Sequence, residues 1–277
     1  MITTPLVSIV IPCYNCASTI IEAVESARNQ SYGYIEIIVV DDGSTDSSFH
    51  TINMYVSEQA NIKIIQQENS GPAKARNTGF MHAKGQFLLF LDGDDKLHPD
   101  FVQECLAAYI NAPDLQIVYT RARFFGSTRG EWKIKPFEQD TLLFKNAIPI
   151  FAMIRASTFK AVGMFDENMR LAEDWELWIR IVDKYGPKVH RIDRELYYYR
   201  KSGTGQSLTD LRYSSNAWDD AVIYMYQKHY PLYKASRGSI YDLFEAKKYK
   251  DDYEQKWYRK LFYRIFKPTK YKRKYQR

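Results

Sequence analysis

Cysteine is scarce in this 277-residue chain: three residues, at positions 13, 16 and 105. So few, and an odd number, exclude a secreted scaffold stapled by disulfides. Cys13-x-x-Cys16 has no second pair to complete a zinc site and reads as a coincidence of loop composition. No stretch approaches 18 consecutive apolar residues, so no transmembrane helix is expected. Met1–Pro5 carries no basic segment, so no signal peptide is expected. The five histidines share no ligand spacing. Neither G-x-x-x-x-G-K-[ST] nor G-x-G-x-x-G occurs, so Walker-type ATPases and dinucleotide enzymes fit poorly. What remains is a reduced, cytoplasmic globular protein, because 45% apolar and 26% charged residues exclude disorder.

The net charge of +6 is unevenly spread. Residues 256–277 hold ten basic side chains and no acidic one, leaving 29 basic against 33 acidic in residues 1–255. A mildly acidic body with a basic tail argues against a nucleic-acid face. On a helix, Trp257, Leu261 and Ile265 share one strip, joined by Tyr258, Phe262 and Phe266, with Lys256, Lys260, Arg264 and Lys267 on the other side. Residues 251–277 are read either as meeting an anionic membrane surface peripherally, on the inner face of the cell membrane, or as a helix packed on the body with a solvated basic end.

Along the first hundred residues, short apolar runs alternate with helical spacing. Leu6–Ile11, Ile35–Val40, Ile62–Ile65 and Phe87–Leu91 read as strands. Segments 18–29, 45–58 and 73–83 read as the helices between them. That alternation predicts an α/β fold with a mostly parallel central sheet flanked by helices. Beyond residue 100 the pattern loosens: a helix at 99–111, a strand at 116–125, a loop or hairpin at 126–137, a helix at 175–185, a strand at 195–200, and helices over 210–266. The expected organisation is one domain over 1–205, with halves 1–98 and 99–205, then a helical extension over 206–277.

Polar clusters follow the carboxyl ends of three of these strands: Pro12-Cys13-Tyr14-Asn15, Asp41-Asp42-Gly43-Ser44 and Asp92-Gly93-Asp94-Asp95. In an open α/β sheet that edge binds ligands. Aspartates crowded at one rim repel unless a cation neutralises them, and hard oxygen ligands favour Mg²⁺ or Mn²⁺ shared with substrate phosphates. Asp-Gly-Asp-Asp by itself is also a good turn. Lys74 and Arg76, at the start of a helix after Gly71-Pro72, could help hold an anion. Glu173-Asp174 suits either a helix N-terminus or a catalytic carboxylate. Arg200, between an aromatic strand and Ser202–Ser207, is read either as a diphosphate ligand beside a lid or as part of a surface strand.

Five blocks in order over residues 5–200 resemble the family 2 glycosyltransferases: Ser8–Asn15, Ile38–Asp46, Gly71–Gly79, Leu91–Asp95 and Ala172–Trp178. The resemblance implies a GT-A fold and inverting transfer from a nucleotide-diphosphate sugar, a UDP-sugar first, to a saccharide or lipid-linked acceptor. It places Pro12, Tyr14 and Asp42 around the nucleobase and Arg76 near the base or phosphates. Asp92 and Asp94 fall on the donor, Asp94 and Asp95 on Mn²⁺ or Mg²⁺, with the division of ribose and metal varying within the family. Asp174 matches the general base. The pathway implied is bacterial surface polysaccharide or glycolipid assembly. The alternatives are a sugar-nucleotide nucleotidyltransferase, which usually carries a Gly-rich basic loop where Pro12–Asn15 stands, and an inactive carbohydrate-binding module.

Overall fold

Apolar runs bounded by turn residues become buried strands. The computed structural model describes residues 4–56, 61–203, 217–236 and 238–245, together with Lys248 and Arg264. Strand β1 (Val7–Cys13) is buried at six of its seven positions. It is followed by α1 (Ile20–Arg28), β2 (Ile35–Asp42), α2 (Ser48–Val56), β3 (Ile62–Gln67), α3 (Pro72–Met81) and β4 (Phe87–Phe90). Then come β5 (Lys96–Leu97), α4 (Phe101–Asn111), β6 (Ile117–Gly126), β7 (Gly130–Trp132) and β8 (Met153–Arg155). The remaining elements are α5 (Ala156–Ala161), α6 (Glu173–Tyr185), β9 (Val189–Lys201), α7 (Ala217–Lys228) and α8 (Tyr230–Ala235).

The sheet order is β3-β2-β1-β4-β8-β6-β9-β5, with β7 on β6. Strands β3, β2, β1 and β4 are parallel, as the crossover pattern predicts. The other half is mixed: β8 runs antiparallel to β4 and β6, and β5 antiparallel to β9, while β6 and β9 pair in parallel. Strands β5 and β8 are two and three residues long, too short to show a period, and only pairing partners define them. Strand β9 starts at Val189 rather than 195, because residues 189–195 are only half-buried or exposed and lack an apolar signature.

Register decides where the polar clusters meet. Cys13 lies opposite Asp41, Asp42 opposite Gln67, and Val10 opposite Phe90. The loops after β1, β2 and β4 therefore leave from one edge.

The helices sit where their apolar faces put them. Helix α1 buries Ile20, Ala23, Val24 and Ala27 at helical spacing. Helix α3 starts with Pro72 after Gly71, whose φ of 90° is costly for any residue with a Cβ. Within α3, a Cβ on Gly79 would lie 2.3 Å from Val10 Cγ1, so glycine lets the helix rest directly on β1. Helix α6 buries Trp175, Leu177, Trp178, Ile179, Ile181 and Val182, and places Glu173, Asp174 and Glu176 in its first turn, where the helix dipole favours acids.

The chain forms two compact units, residues 1–222 and 223–277. In the second, Tyr226 packs on Tyr233 and donates to the Gly238 carbonyl at 3.0 Å. Most of residues 206–216 and 251–277, and with them the expected basic helix, lie outside the described residues. Among the described residues no helix is long and apolar enough to cross a membrane.

Candidate active site

The loops after β1 and β2 are tied to each other by one residue. Asn15 has a φ of 53°, a conformation asparagine tolerates better than most residues. Its Oδ1 accepts from the Thr45 amide at 2.8 Å and the Asp46 amide at 3.3 Å, and its own amide donates to Ser44 Oγ at 3.0 Å. Beside it Tyr14 is 51% exposed, an aromatic ring presented at the rim, with Pro12 half-buried below.

Asp42 reaches the same rim, but its carboxylate serves the chain. Oδ1 accepts from Gln67 Nε2 at 2.7 Å and the Ser70 amide at 2.9 Å, and Oδ2 from the Gly71 amide at 2.8 Å. These bonds hold the entry to α3. Among the described residues, the buried acceptors left without a protein partner are Oδ1 of Asp41, which precedes Asp42, and Oε1 of Gln67, its partner in register.

Lys74 and Arg76, expected to hold an anion at the start of α3, each pair with carboxylates of the chain. Lys74 pairs with Glu167 at 3.0 Å. Arg76 is buried, with one terminal nitrogen 2.7 Å from Asp92 and the other 2.6 Å from Glu173. Burial opposes its charge, but the two carboxylates hold its pKa above the usual value, so it stays a cation. Arg76 thus lies beneath the rim as a bridge between two acidic segments, facing carboxylates rather than open solvent.

In the loop after β4, the three aspartates part ways. Asp95 is 1% exposed and accepts from the Tyr197 hydroxyl and the Arg200 amide, each at 2.7 Å. Burial, then the charges of Asp94 and Asp92, push its carboxyl well above the carboxylate range. Each of its oxygens accepts one hydrogen bond from β9, so Asp95 fastens the loop to that strand. Arg200 is also accounted for, since its Nε donates to the Asp94 carbonyl at 2.6 Å, its guanidinium covers Phe125 at 4.4 Å, and it pairs with Glu22. It clips the loop to β9 and α1. Most of the lid segment beyond it, from residue 204, lies outside the described residues.

Asp94 is the most solvent-exposed of the three, yet the protein packed around its carboxyl removes part of its hydration, and this, then the charge of Asp92, raises its pKa to about 6. Among the described residues no group of three or more His, Cys, Asp or Glu forms a metal cage. The donor set still fits a hard cation that also takes substrate oxygens, since Mg²⁺ and Mn²⁺ are commonly held by one or two carboxylates plus phosphate. Asp94, with Asp92 two residues before it, would supply those carboxylates.

At the start of α6, Asp174 accepts from Asn146 Nδ2 at 2.9 Å and from the Trp175 amide at 2.7 Å. Burial, then the neighbouring Glu173, raise its pKa to about 7. A carboxylate tuned there is well matched to taking a proton near neutrality. Sequence reasoning missed four of these supports: Asn146, Tyr197, Glu22 and the pairing role of Glu173. Of these only Glu173 carried a signal, as the second acid of an adjacent pair. Asn146 lies in a loop with no motif, and Glu22 looks like any exposed helix residue.

The family described as "Glycosyl transferase family 2" matches residues 8–171. The chain is 32% identical over 213 residues to the chondroitin synthase of Escherichia coli, an alignment covering 75% of this chain and 30% of that protein. The crystal structure of TarS from S. aureus superposes with a TM-score of 0.59 at 26% identity, over 70% of this chain and 36% of that one. A shorter form of TarS, residues 1–349, has been crystallised with UDP-GlcNAc. The mannosyltransferase PcManGT from Pyrobaculum calidifontis, in complex with GDP-Man and Mn²⁺, matches in fold with a TM-score of 0.60 at 17% identity, over 81% of this chain and 64% of that one.

Proposed function

The chain belongs to glycosyl transferase family 2, with the GT-A fold, and from that premise we propose that it moves a sugar from a nucleotide-diphosphate donor, a UDP-sugar first, to an acceptor hydroxyl with inversion. One observation carries the reading: the ion-pair chain Asp92–Arg76–Glu173 ends beside Asp174. It joins the acidic loop that would hold a cation shared with the donor's diphosphate to the helix end that carries Asp174.

Tyr14 offers its exposed ring to the nucleobase. Asp42 shapes the pocket through the 70–71 turn. Asp174 takes the acceptor hydroxyl's proton while the new C–O bond forms at the anomeric carbon and the nucleoside diphosphate departs. Asn146 keeps the Asp174 carboxylate oriented. Mn²⁺ or Mg²⁺ held by Asp94 and Asp92 would supply positive charge to the leaving diphosphate. No covalent intermediate is needed, so no Ser-His or Cys-His pair is required.

The acceptor belongs to bacterial surface polysaccharide or glycolipid assembly on this reading, and the enzyme works from the cytoplasmic side. Residues 256–277, with ten basic and no acidic side chains, support attachment to an anionic membrane there. Sedimentation with anionic but not neutral vesicles, lost on truncation after Tyr253, is the expected outcome. Equal sedimentation of the truncated protein removes the tail as anchor.

The test of function is release of nucleoside diphosphate from a panel of nucleotide sugars with Mn²⁺, with and without saccharide acceptors. Turnover that acceptor accelerates and Asp174→Asn suppresses is expected. No release from any donor, or pyrophosphate release from a nucleoside triphosphate plus a sugar phosphate, overturns the reading.

A further inference from the structure

Cys13 closes β1, and Cys16 sits in the turn that leads into α1, with Tyr14 and Asn15 between them. Their sulfurs lie 2.6 Å apart. Cys13 is 1% exposed, whereas Cys16 is only partly buried. The turn is pinned on every side. The Cys16 amide donates to Ser48 Oγ at 2.9 Å, and its carbonyl accepts from the Thr19 and Ile20 amides, both at 2.9 Å. Cys16 Sγ also packs on the acidic loop, where a Cβ on Gly93 would approach it to 2.9 Å. Coincidence of loop composition does not account for two thiols held in contact by this many bonds.

We propose that Cys13 and Cys16 form a reversible dithiol–disulfide couple built into the β1–α1 loop, with low-molecular-weight disulfides as its exchange partner. A C-x-x-C pair between a strand and a helix of a parallel βαβ unit is the setting in which such couples work. Cys16, the accessible sulfur, loses its proton and attacks one sulfur of the small disulfide RSSR. A protein–S–S–R bond forms and RS⁻ leaves, taking that proton as RSH. Cys13 then attacks Cys16 Sγ, closing the bond within the loop and expelling the second RS⁻, which leaves with the Cys13 proton. Two electrons pass from the protein sulfurs to RSSR, and a dithiol reductant reverses the exchange. The contact between the sulfurs lowers the Cys13 thiol and, together with burial, raises that of Cys16, so the shared proton rests on Cys16 and must pass to solvent before the attack, which makes the first exchange the slow one.

Closing the bond brings the sulfurs to about 2.05 Å, a small movement from their present contact. The disulfide therefore stiffens the existing loop around Tyr14 rather than reshaping it. This second consequence rests on the donor pocket proposed above: a stiffened platform binds UDP about threefold more tightly, because less freedom is lost on binding.

The experiment equilibrates full-length protein at graded ratios of oxidised to reduced glutathione, quenches by alkylation and counts free thiols by mass spectrometry under denaturing conditions. Thiols are expected to fall from three to one, with Cys13 joined to Cys16 and Cys105 still free. Calorimetry should show the UDP affinity rising with oxidation and reverting with dithiothreitol. Cys16→Ser should show neither change. Three thiols persisting in excess oxidised glutathione, or glutathione remaining on Cys16 without loop closure, overturns the couple. UDP affinity unchanged or weaker in the disulfide form overturns the stiffening. If UDP binds neither state, the donor pocket is the reading that fails, and the thiol count still decides the couple.

Discussion

At the end of β4, Asp95 is buried beneath β9 and receives a hydroxyl and an amide, so its carboxyl fastens the loop to the sheet. At the start of α6, Asp174 also receives two donors, yet Asn146 and Trp175 leave it titrating near neutrality beside Glu173. Both stand in short acidic stretches, both are raised by burial, and Arg76 lies between the two regions. The difference lies in what each carboxyl is attached to. Asp95 is bonded to a strand that holds the loop in place, whereas Asp174 sits on a helix end, where on the proposed reading it takes a proton from the acceptor hydroxyl. A residue type tells what chemistry is available; its partners tell whether that chemistry is already in use.

The sharpest way to break the comparison is Asp174→Asn. Turnover should fall by roughly 10²–10⁴, the usual share of a general base, with UDP affinity measured by calorimetry nearly unchanged. The same variant should be more stable at alkaline pH. The folded pKa of about 7 lies above the unfolded value of about 3.9, so this group's favourable contribution is complete below pH 4 and is lost as pH rises through 7. Thermal melts should show the variant's advantage above pH 7 shrinking toward pH 4. Near-normal turnover would move the base elsewhere, to Glu173 first.

Next in size is the bridge itself. Arg76→Met leaves Asp92 and Glu173 without their buried cation, at a cost of about 3–5 kcal/mol, read by denaturant unfolding. An unchanged midpoint would mean the two acidic regions are independent of each other.

Smaller effects should separate the neighbouring aspartates. Asp94→Ala should abolish the gain in UDP affinity that Mn²⁺ or Mg²⁺ confers over chelator. Asp95→Asn should keep that gain while losing about 1–3 kcal/mol of stability, since a buried bonding set is disturbed. Equal UDP affinity with and without metal in the parent protein would remove the cation site altogether.

The smallest effect is a pH limb. If Asp174 is the base, kcat/KM should fall about tenfold per pH unit below 7 and level off above it. A limb near pH 4 would show that the carboxyl is not raised in the free enzyme.

Much of this molecule is readable from its residues because its first half follows local rules. Val7–Cys13, Ile35–Asp42 and Phe87–Phe90 are apolar runs ending in polar turns, and a run of that kind can do little but become a buried strand. The parallel order and the shared rim follow from the helices between them. Strands β5 and β8 were not readable, because two or three residues show no period and exist as strands only through β9, β4 and β6. Among site residues, Asp174 and Asp94 stand in recognisable blocks, whereas Asn146 carries no pattern at all.

The amino-acid sequence by itself determined the inventory: which acids, which aromatic ring, and which strand ends bring them to one edge. Tertiary structure decided their employment. It gave Asp42 to the turn before α3, Asp95 and Arg200 to the pairing of the acidic loop with β9, and Arg76 to two carboxylates. It also left Asp41 Oδ1 without a protein partner. The physical reason is that a buried polar group must be matched by whichever donor or charge packs beside it, and that neighbour comes from residues tens of positions away.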